Sequence, residues 1–398
     1  MSKSFIAAQD IILQNSSVLS FESVPLMESG GRVVAMDIIA PWDLPRWDNS
    51  EMDGFAVRHA DCHLLATLQV NDYIPAGATA DGIEVRSGTA VKIMTGAPIP
   101  SGCDAVVPIE NTTVIADQVT LNQAVGFNDY IRFKGSDIGI GETVIPAKTV
   151  LRPVEVNLLA SFSYPQVEVI RRPIVAILST GDELIAPGGK PDSGEIIDSN
   201  SYSLAVAVKE LGAIPQLLGI AHDNSASLQE KIAIGLTADV LITSAGVSTG
   251  DRDLVRKLLA AAGVEQLFWK IAMKPGGPTA FGRKGDRLVF SLPGNPVSSM
   301  IAFDQLVRPA LLKMQGRNVV LKSVHQATVK GSLCNETAKT RFLRVRVEQT
   351  KEGLIAESAG DQNTGIVRTM IKANALAILS PEQAELVAGE RVDIQFLS

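Results

Sequence analysis

The sequence predicts a multi-domain protein of the α/β plus β class. A doubly wound α/β domain follows an inserted, small β-rich domain and precedes a C-terminal β-barrel-like domain. Between Arg171 and Gly316, short apolar runs alternate with helical patterns, as in a parallel sheet covered by helices. Residues 47–137 and 317–398 instead carry short apolar runs separated by clusters of Gly, Pro, Asn and Asp, a pattern typical of small β domains.

The α/β region contains four predicted strands joined by helices. Apolar runs rich in β-branched residues predict strands at 174–178, 216–220, 240–243 and 288–291. Helices are predicted at 202–211, at 225–236, between the third strand and Lys270, and from Pro296 to Gly316. Sheets of this type bind ligands outside the carboxyl ends of their strands. We therefore expect the loops that follow these strands, together with the 270–278 segment, to form one site.

The change of pattern along the chain predicts four domains. Residues 1–46 and 138–170 form a discontinuous N-terminal domain, and residues 47–137 are inserted into it. Residues 171–316 form the α/β domain, and residues 317–398 form the C-terminal β domain. A chain of 398 residues is long enough for several separate cores.

Composition and charge narrow the class of protein. The net charge of -7, without a basic stripe, argues against a nucleic-acid partner. No apolar run approaches the ~20 residues of a membrane span, so no membrane association is expected. The N-terminal residues lack a secretory pattern, and three widely separated cysteines argue against a disulfide framework. We expect a cytoplasmic protein.

The strongest local signal is the loop that follows the third strand of the α/β region. Gly246 and Gly250 let backbone N–H groups turn toward an anion where the next helix begins. The loop matches neither a Walker motif nor a Gly-x-Gly-x-x-Gly fingerprint. On its own it fits a phosphate site or a tight turn equally well.

Four carboxylates lie in two of the predicted site loops: Asp182 and Glu183 in the first, Asp251 and Asp253 in the second. Beside an anion cradle they would repel a phosphate unless a hard cation such as Mg²⁺ lay between them. The alternative is that each acid caps a helix or faces solvent. Their occurrence at two strand ends favours the cation.

The last two loops offer cations and a rigid turn. Lys270 and Lys274 could neutralise an oxyanion or a leaving phosphate, although solvated lysines are the alternative. Pro293, Asn295 and Pro296 belong to a shaped turn at the start of the final helix. By itself, that turn indicates no particular chemistry.

Two other classes of site are disfavoured. His59, Cys62 and His63 suggest a metal site, but no second ligand pair occurs at zinc-like spacing. The chain has only 4 histidines and lacks a Gly-x-Ser-x-Gly elbow, so a serine hydrolase is not expected.

Six ordered motifs resemble those of the molybdopterin molybdenumtransferase family, which includes MoeA and the E domain of gephyrin. They are SEMDGFAV at 50–57, MTGAP at 94–98, STGDEL at 179–184, GVSTG at 246–250, MKPG at 273–276 and PGNPVS at 293–298. The resemblance covers nearly the whole chain. It implies a doubly wound domain similar to the molybdopterin adenylyltransferase fold, and an elongated homodimer of four-domain subunits.

The resemblance also implies a reaction and its partners. Adenylylated molybdopterin and molybdate would be the substrates, molybdenum would enter the dithiolene, and AMP would leave with Mg²⁺ as cofactor. In the family, the inserted domain of one subunit faces the α/β domain of the other, so the site is expected to be shared across the dimer. The molybdopterin adenylyltransferase is a further partner that the resemblance suggests.

The resemblance assigns roles to individual residues of this sequence. Those implied to be catalytic are Asp53, Glu183, Asp253, Lys270 and Lys274. Those implied to bind the substrate are Thr95, Asp137, Asp182, Asp223, Gly246, Ser248, Gly250, Pro293, Asn295 and Pro296. Molybdate contacts are implied for Pro278, Ser298, Arg344 and Thr364, and metal contacts for Asp251 and Asp253.

Three departures from the family pattern bear on activity. Gly277 stands where the pattern has a lysine, Ala245 stands where it has a glycine, and Ala338 with Lys339 replaces a Gly-Arg pair. Two alternatives to the transferase therefore stay open. One is a paralogue with another molybdopterin-nucleotide activity, and the other is a non-catalytic dimeric scaffold.

Overall fold

The computed structural model describes residues 2–244 and 254–397. The chain forms two compact units. The larger unit comprises Met1–Ala35, Lys148–Pro153 and Gln166–Ser398, and the insertion unit comprises Met36–Ala147 and Val154–Pro165. The finer division into four domains stays a prediction.

A mixed six-stranded sheet forms the α/β part of the larger unit. Its strands, in spatial order, are Ile214–Ala221, Ile174–Thr180, Val240–Ser244, Arg287–Leu292, Ala280–Lys284 and Glu265–Phe268. The first four are parallel, which confirms the four predicted strands. The last two strands join the sheet by antiparallel pairing: Ala280–Lys284 pairs with Arg287–Leu292 on one side and with Glu265–Phe268 on the other. They were not predicted, because a strand as polar as Ala280–Lys284 has little apolar periodicity of its own.

Helices pack on this sheet and close its core. They are Asn200–Glu210, Ser225–Gly235, Leu254–Ala261, Pro296–Ala302 and Arg308–Met314. The last two are joined by a π-helical segment, Phe303–Val307, so the single long helix predicted from Pro296 to Gly316 is interrupted. Buried side chains such as Ile177, Ile242 and Phe290 form the core beneath them.

A second sheet of the larger unit contains a closed five-stranded barrel. The seven strands of this sheet, in order, are Lys3–Ser4, Ile271–Lys274, Thr340–Thr350, Gly353–Ser358, His325–Lys330, Arg391–Phe396 and Ala375–Leu379, and the last five form the barrel. The barrel closes where Ala375–Leu379 pairs back onto Thr340–Thr350. The predicted C-terminal barrel is therefore confirmed. The 270–278 segment was expected among the loops of the α/β sheet, but its residues Ile271–Lys274 form a strand attached to this barrel.

The insertion unit is built on a six-stranded sheet, as the alternation of apolar runs and turn residues predicts. Its strands, in spatial order, are Ala105–Pro108, Gly54–Val57, Thr89–Ile93, Thr67–Ile74, Gln118–Leu121 and Thr112–Ile115. Buried residues on its two faces, including Phe55 and Ile93, form two small cores.

Shorter elements complete the two units. Two-stranded ladders pair Phe21–Pro25 with Gln166–Ile170, Ile38–Ile39 with Thr143–Ile145, Asn49–Ser50 with Ile131–Arg132, Leu184–Ile185 with Ile196–Ile197, and Leu333–Cys334 with Glu385–Leu386. The remaining helices are Phe5–Gln14, Pro153–Ser161 and Arg368–Lys372, with 3₁₀ turns at Leu26–Glu28, His59–Asp61 and Ile109–Asn111. None of the described helices has the length and apolar composition that a membrane crossing needs.

Candidate active site

The carboxyl ends of the parallel strands border a cavity of about 610 Å³ in the larger unit. Segments 183–184, 196–200 and 293–296 line it, together with Ser244 and Pro278. The apolar part of the lining comes from Leu184, Ile196, Ile197 and the three prolines at 278, 293 and 296. Of the residues predicted to contribute to the site, the structure brings Glu183, Pro278, Pro293, Asn295 and Pro296 to one cavity. Its volume is that of a typical small-molecule site.

Three acidic side chains lie close together in the loops that follow the strands Ile174–Thr180 and Ile214–Ala221. They are Asp182, Glu183 and Asp223. Asp182 Oδ1 accepts a hydrogen bond from the backbone N–H of Asp223 at 3.0 Å and lies 3.3 Å from His222 Nδ1. Desolvation raises the pKa of Asp223, and the charges of Asp182 and Glu183 raise it further. The three carboxylates therefore repel one another, and a cation or a ligand with hydrogen-bond donors would relieve that repulsion.

The chemistry of these donors is compatible with Mg²⁺. This ion prefers oxygen ligands and usually takes one or two carboxylates, water and substrate phosphates. In the described parts of the chain, no three His, Cys, Asp or Glu side chains come close enough together to form a complete protein cage. Gly246, Ser248, Gly250, Asp251 and Asp253 lie outside the described residues, and their predicted roles stay predictions.

The two predicted catalytic lysines do not line the cavity. Both lysines are exposed: Lys270 precedes the strand Ile271–Lys274, and Lys274 is its last residue. After Lys274 the chain folds back, and the backbone N–H of Ile271 donates to the carbonyl oxygen of Gly277 at 2.9 Å. A Cβ atom at position 277 would lie 2.9 Å from the carbonyl oxygen of Met273. A lysine at this position would therefore require the backbone to move.

The 293–296 turn is hydrogen-bonded to the segment that follows the barrel strand Gly353–Ser358. Asn295 Nδ2 donates to Thr364 Oγ1 at 3.0 Å, and Pro296 occupies the first turn of the helix Pro296–Ala302. Ser298 lies in the same turn and is buried. The structure thus brings Asn295 and Thr364 together, as their predicted roles in one site require, while direct substrate contacts stay predictions.

The side chain of Arg344 is buried, whereas a residue that contacts a substrate directly has to be accessible to it. Its side chain is 1 % exposed, and its guanidinium donates to acceptors in the 361–369 segment. Burial lowers the pKa of this guanidinium. Arg344 therefore fixes the segment that carries Thr364. Its predicted contact with molybdate stays a prediction that this arrangement does not support.

Two of the three predicted residues of the insertion unit form a local pair. Asp53 Oδ1 accepts hydrogen bonds from the backbone N–H and the hydroxyl of Thr95, both at 2.7 Å. The backbone bond and then the hydroxyl bond lower the pKa of Asp53, so the side chain is held as an oriented carboxylate. Asp137 is exposed, and its backbone N–H donates to the carbonyl oxygen of Leu44 at 3.0 Å.

The sequence prediction missed Asn200 as part of the site and gave Ser244, at the start of the predicted loop after the third strand, no role of its own. Asn200 Nδ2 donates to Ser244 Oγ at 2.9 Å and to the carbonyl oxygen of Gly294 at 2.8 Å. These bonds join a helix start, a strand end and the 293–296 turn. The residues at 198–200 were interpreted only as helix caps, and Asp198 does accept from the backbone N–H of Ser201. Only the position of Asn200 beside a strand end could have suggested the wider role.

Three family models match successive parts of the chain. The MoeA N-terminal region (domain I and II) matches residues 3–163, a probable molybdopterin binding domain matches residues 176–313, and the MoeA C-terminal region (domain IV) matches residues 326–397. Together they cover the insertion unit, the α/β sheet with its cavity, and the barrel.

Similar proteins and structures match along the whole chain. A molybdopterin molybdenumtransferase of Haemophilus influenzae is 37% identical over 94% of this chain and 93% of that protein. One from Staphylococcus aureus is 33% identical over 98% of this chain and 94% of that protein. The crystal structure of a molybdopterin biosynthesis MoeA protein from Pyrococcus horikoshii superposes with a TM-score of 0.85 at 28% identity, with both chains fully covered. With this similarity from end to end, the chain belongs to the molybdopterin molybdenumtransferase family.

Proposed function

We propose that this chain inserts molybdenum into adenylylated molybdopterin, using molybdate and releasing AMP, in the synthesis of the molybdenum cofactor. The observation that carries the proposal is the similarity to relatives named for this reaction, which extends over at least 94% of the chain and includes the segments that line the cavity. The cavity can hold a flat heterocycle against Ile196, Ile197 and the prolines, with the acidic loops at its edge. This division suits a substrate with an aromatic part and a phosphate part.

Mg²⁺ is the proposed cofactor. Asp251 and Asp253 are the proposed ligands, and the nearby charges of Asp182, Glu183 and Asp223 would favour a cation at this edge of the sheet. When bound, the ion would neutralise charge on the substrate's phosphates. Lys270 and Lys274 are proposed to balance the charge of oxyanions, and the apolar lining of the cavity would exclude water from the bound substrate.

The reaction is tested by incubating the purified chain with adenylylated molybdopterin, molybdate and Mg²⁺ while AMP and metallated dithiolene are measured together. We expect the two products to appear in equal amounts. Glu183→Gln should lower the rate by about a hundredfold or more, as is usual when a charged group that contacts the reacting phosphate or dithiolene is lost. AMP release without metallation would instead identify a hydrolytic paralogue, and binding of both substrates without turnover would identify a scaffold.

We also propose that the protein is a homodimer whose site combines Asp53 of one subunit with Glu183 of the other. This arrangement is tested with two variants, Asp53→Asn and Glu183→Gln, each of which should be nearly inactive alone. After unfolding and refolding an equal mixture, half of the dimers are mixed, and each mixed dimer holds one intact site of two. We therefore expect recovery of about a quarter of the wild-type activity for a two-fold symmetric dimer.

The matched control for this experiment mixes two variants of one surface, Glu183→Gln and Asp223→Asn. We expect Asp223→Asn, like Glu183→Gln, to be nearly inactive alone. Both substitutions lie at the same edge of the α/β sheet, so every site of a mixed dimer carries one of them, and no activity should return. If the Asp53→Asn and Glu183→Gln mixture stays as inactive as this control, the shared site is wrong, whatever the outcome of the turnover assay.

A further inference from the structure

Two of the three arginines in the barrel strand Thr340–Thr350 have opposite environments. Arg344 is enclosed and donates to the 361–369 segment. Arg341 is three residues earlier, and side chains an odd number of residues apart in a strand point to opposite faces. The Arg341 side chain is partly exposed and has no hydrogen bond or ion pair with any described residue, and its Nη1 is buried without an acceptor. A buried cationic donor without a partner is costly and indicates a missing anion or water.

A second cation lies directly beside Arg341. The strands Ile271–Lys274 and Thr340–Thr350 are parallel, and Lys274 and Arg341 are register partners. Register partners project from the same face of a sheet, with their backbones about 5 Å apart. Lys274 also lacks a carboxylate within salt-bridge distance among the described residues, in a chain whose net charge is -7. Two neighbouring cations without an acid repel each other, and an anion between them would reverse that repulsion.

The same place is where this chain lacks an expected charge. Gly277 folds back onto the strand that ends at Lys274, so position 277 lies next to Met273. Lysine is the residue of the family pattern at 277, and here the close approach of the Met273 carbonyl oxygen disfavours any side chain. Arg341 is the register partner of Lys274 on the adjacent strand, so its side chain projects from the same face. It can therefore supply the positive charge that position 277 does not.

We propose that Arg341 and Lys274 together bind a tetrahedral oxyanion of the substrates, with Arg341 in place of the lysine missing at position 277. The guanidinium offers paired N–H donors at fixed geometry, which suits two oxygens of one tetrahedral anion. The ammonium of Lys274 adds a second charge from the neighbouring strand. The proposal rests on the proposed function for the identity of the anion, which is either molybdate or the phosphate of the nucleotide.

Calorimetric titration of the full-length chain tests the proposal, with sodium molybdate alone in one arm and AMP alone in the other. Arg341→Gln should weaken binding in one arm by roughly 10- to 100-fold, the effect of losing charge-assisted hydrogen bonds. Weakening in the molybdate arm identifies a molybdate subsite, and weakening in the AMP arm identifies a phosphate subsite. Arg341→Lys should restore part of the loss, because it keeps the charge without the paired donors.

Arg346→Gln is the matched control. Arg346 is on the same strand, is 68% exposed and already pairs with Glu348 at 3.2 Å, so both affinities should stay at wild-type values. A merely structural Arg341 would lower the melting temperature on substitution. We expect Arg341→Gln to leave it unchanged or raise it, since repulsion with Lys274 is removed.

Two outcomes separate this proposal from the function itself. Equal affinities of the wild type and Arg341→Gln in both arms would overturn the oxyanion site, even if the enzyme turns over normally. Binding that depends on Arg341 in a chain that releases no AMP would keep the oxyanion site and refute the transferase reaction.

Discussion

Gly54→Ala is expected to unfold the sheet of the insertion unit. Gly54 is paired with the strand Ala105–Pro108, and a Cβ atom added to it would lie 2.0 Å from the carbonyl oxygen of Val107 and 2.9 Å from its carbonyl carbon. Both are backbone atoms of a paired strand, so neither can rotate away. We expect the free energy of unfolding of the unit to fall by roughly 4 kcal/mol or more, in the range of severe overpacking.

Thermal melting followed by circular dichroism, with limited proteolysis of residues 36–147, measures this effect. Gly139→Ala is the control in the same unit, because the nearest atom to an added Cβ there is Glu142 Oε2 at 4.0 Å. That substitution should change the stability by no more than about 0.5 kcal/mol. If Gly54→Ala had the same melting temperature as Gly139→Ala, the strands Gly54–Val57 and Ala105–Pro108 could not be as close as described. Since Asp53 precedes Gly54, the substitution should also disorder the Asp53–Thr95 pair.

Arg344→Met should cost the larger unit about 3–5 kcal/mol of stability, the usual loss when a buried charged hydrogen-bond network is broken. Methionine has a similar length but donates no hydrogen bonds. The carbonyl oxygens of Asp361, Asn363 and Ile366 would lose the donor that the buried guanidinium supplies. The 361–369 segment should then loosen and release the hydrogen bond between Asn295 and Thr364.

Guanidinium denaturation and hydrogen exchange of residues 361–369 test this prediction. Arg346→Met provides the comparison, because exposed ion pairs such as the one with Glu348 contribute only about 0–1 kcal/mol. A denaturation midpoint for Arg344→Met that matches that of Arg346→Met would show that the network around Arg344 adds nothing. Faster exchange confined to 361–369 would support the role of Arg344 in fixing Thr364.

The local pattern of apolar runs and turn residues was sufficient to predict most of the α/β sheet and the presence of the barrel. The strands Ile174–Thr180 and Val240–Ser244 are apolar, β-branched and bounded by polar turns, so each is identifiable from its own residues. The strand Ile271–Lys274 is different. The segment that contains it was expected in a loop of the site, but it is a strand whose partners are residues 3–4 and 340–341. Pairing between segments so far apart in sequence is not encoded in local periodicity.

The same limitation explains the predictions about the site. Prolines and glycines at strand ends predict a loop, and the 293–296 turn does line the cavity. Which of two arginines on one strand is buried depends on what covers each face of the strand. Arg344 is buried because the 361–369 segment covers its face and accepts its hydrogen bonds. Arg341 lies on the other face, with Leu343 and Val345 of the barrel core, and no local pattern distinguishes the two positions. Asn200 was missed because its role comes from Ser244 and Gly294, which are 44 and 94 residues away.

The strand Ile271–Lys274 also has a consequence for synthesis on the ribosome. Residues 3–4 pair with a strand that is made some 270 residues after them, which in turn pairs with residues 340–341. Contacts of such high sequence separation form slowly and late. Residues 3–4 therefore stay unpaired in that sheet until residues 271–274 have been translated, and that strand lacks its second partner until residues 340–341 follow. A nascent chain stalled before residue 340 should expose this edge and depend on chaperones.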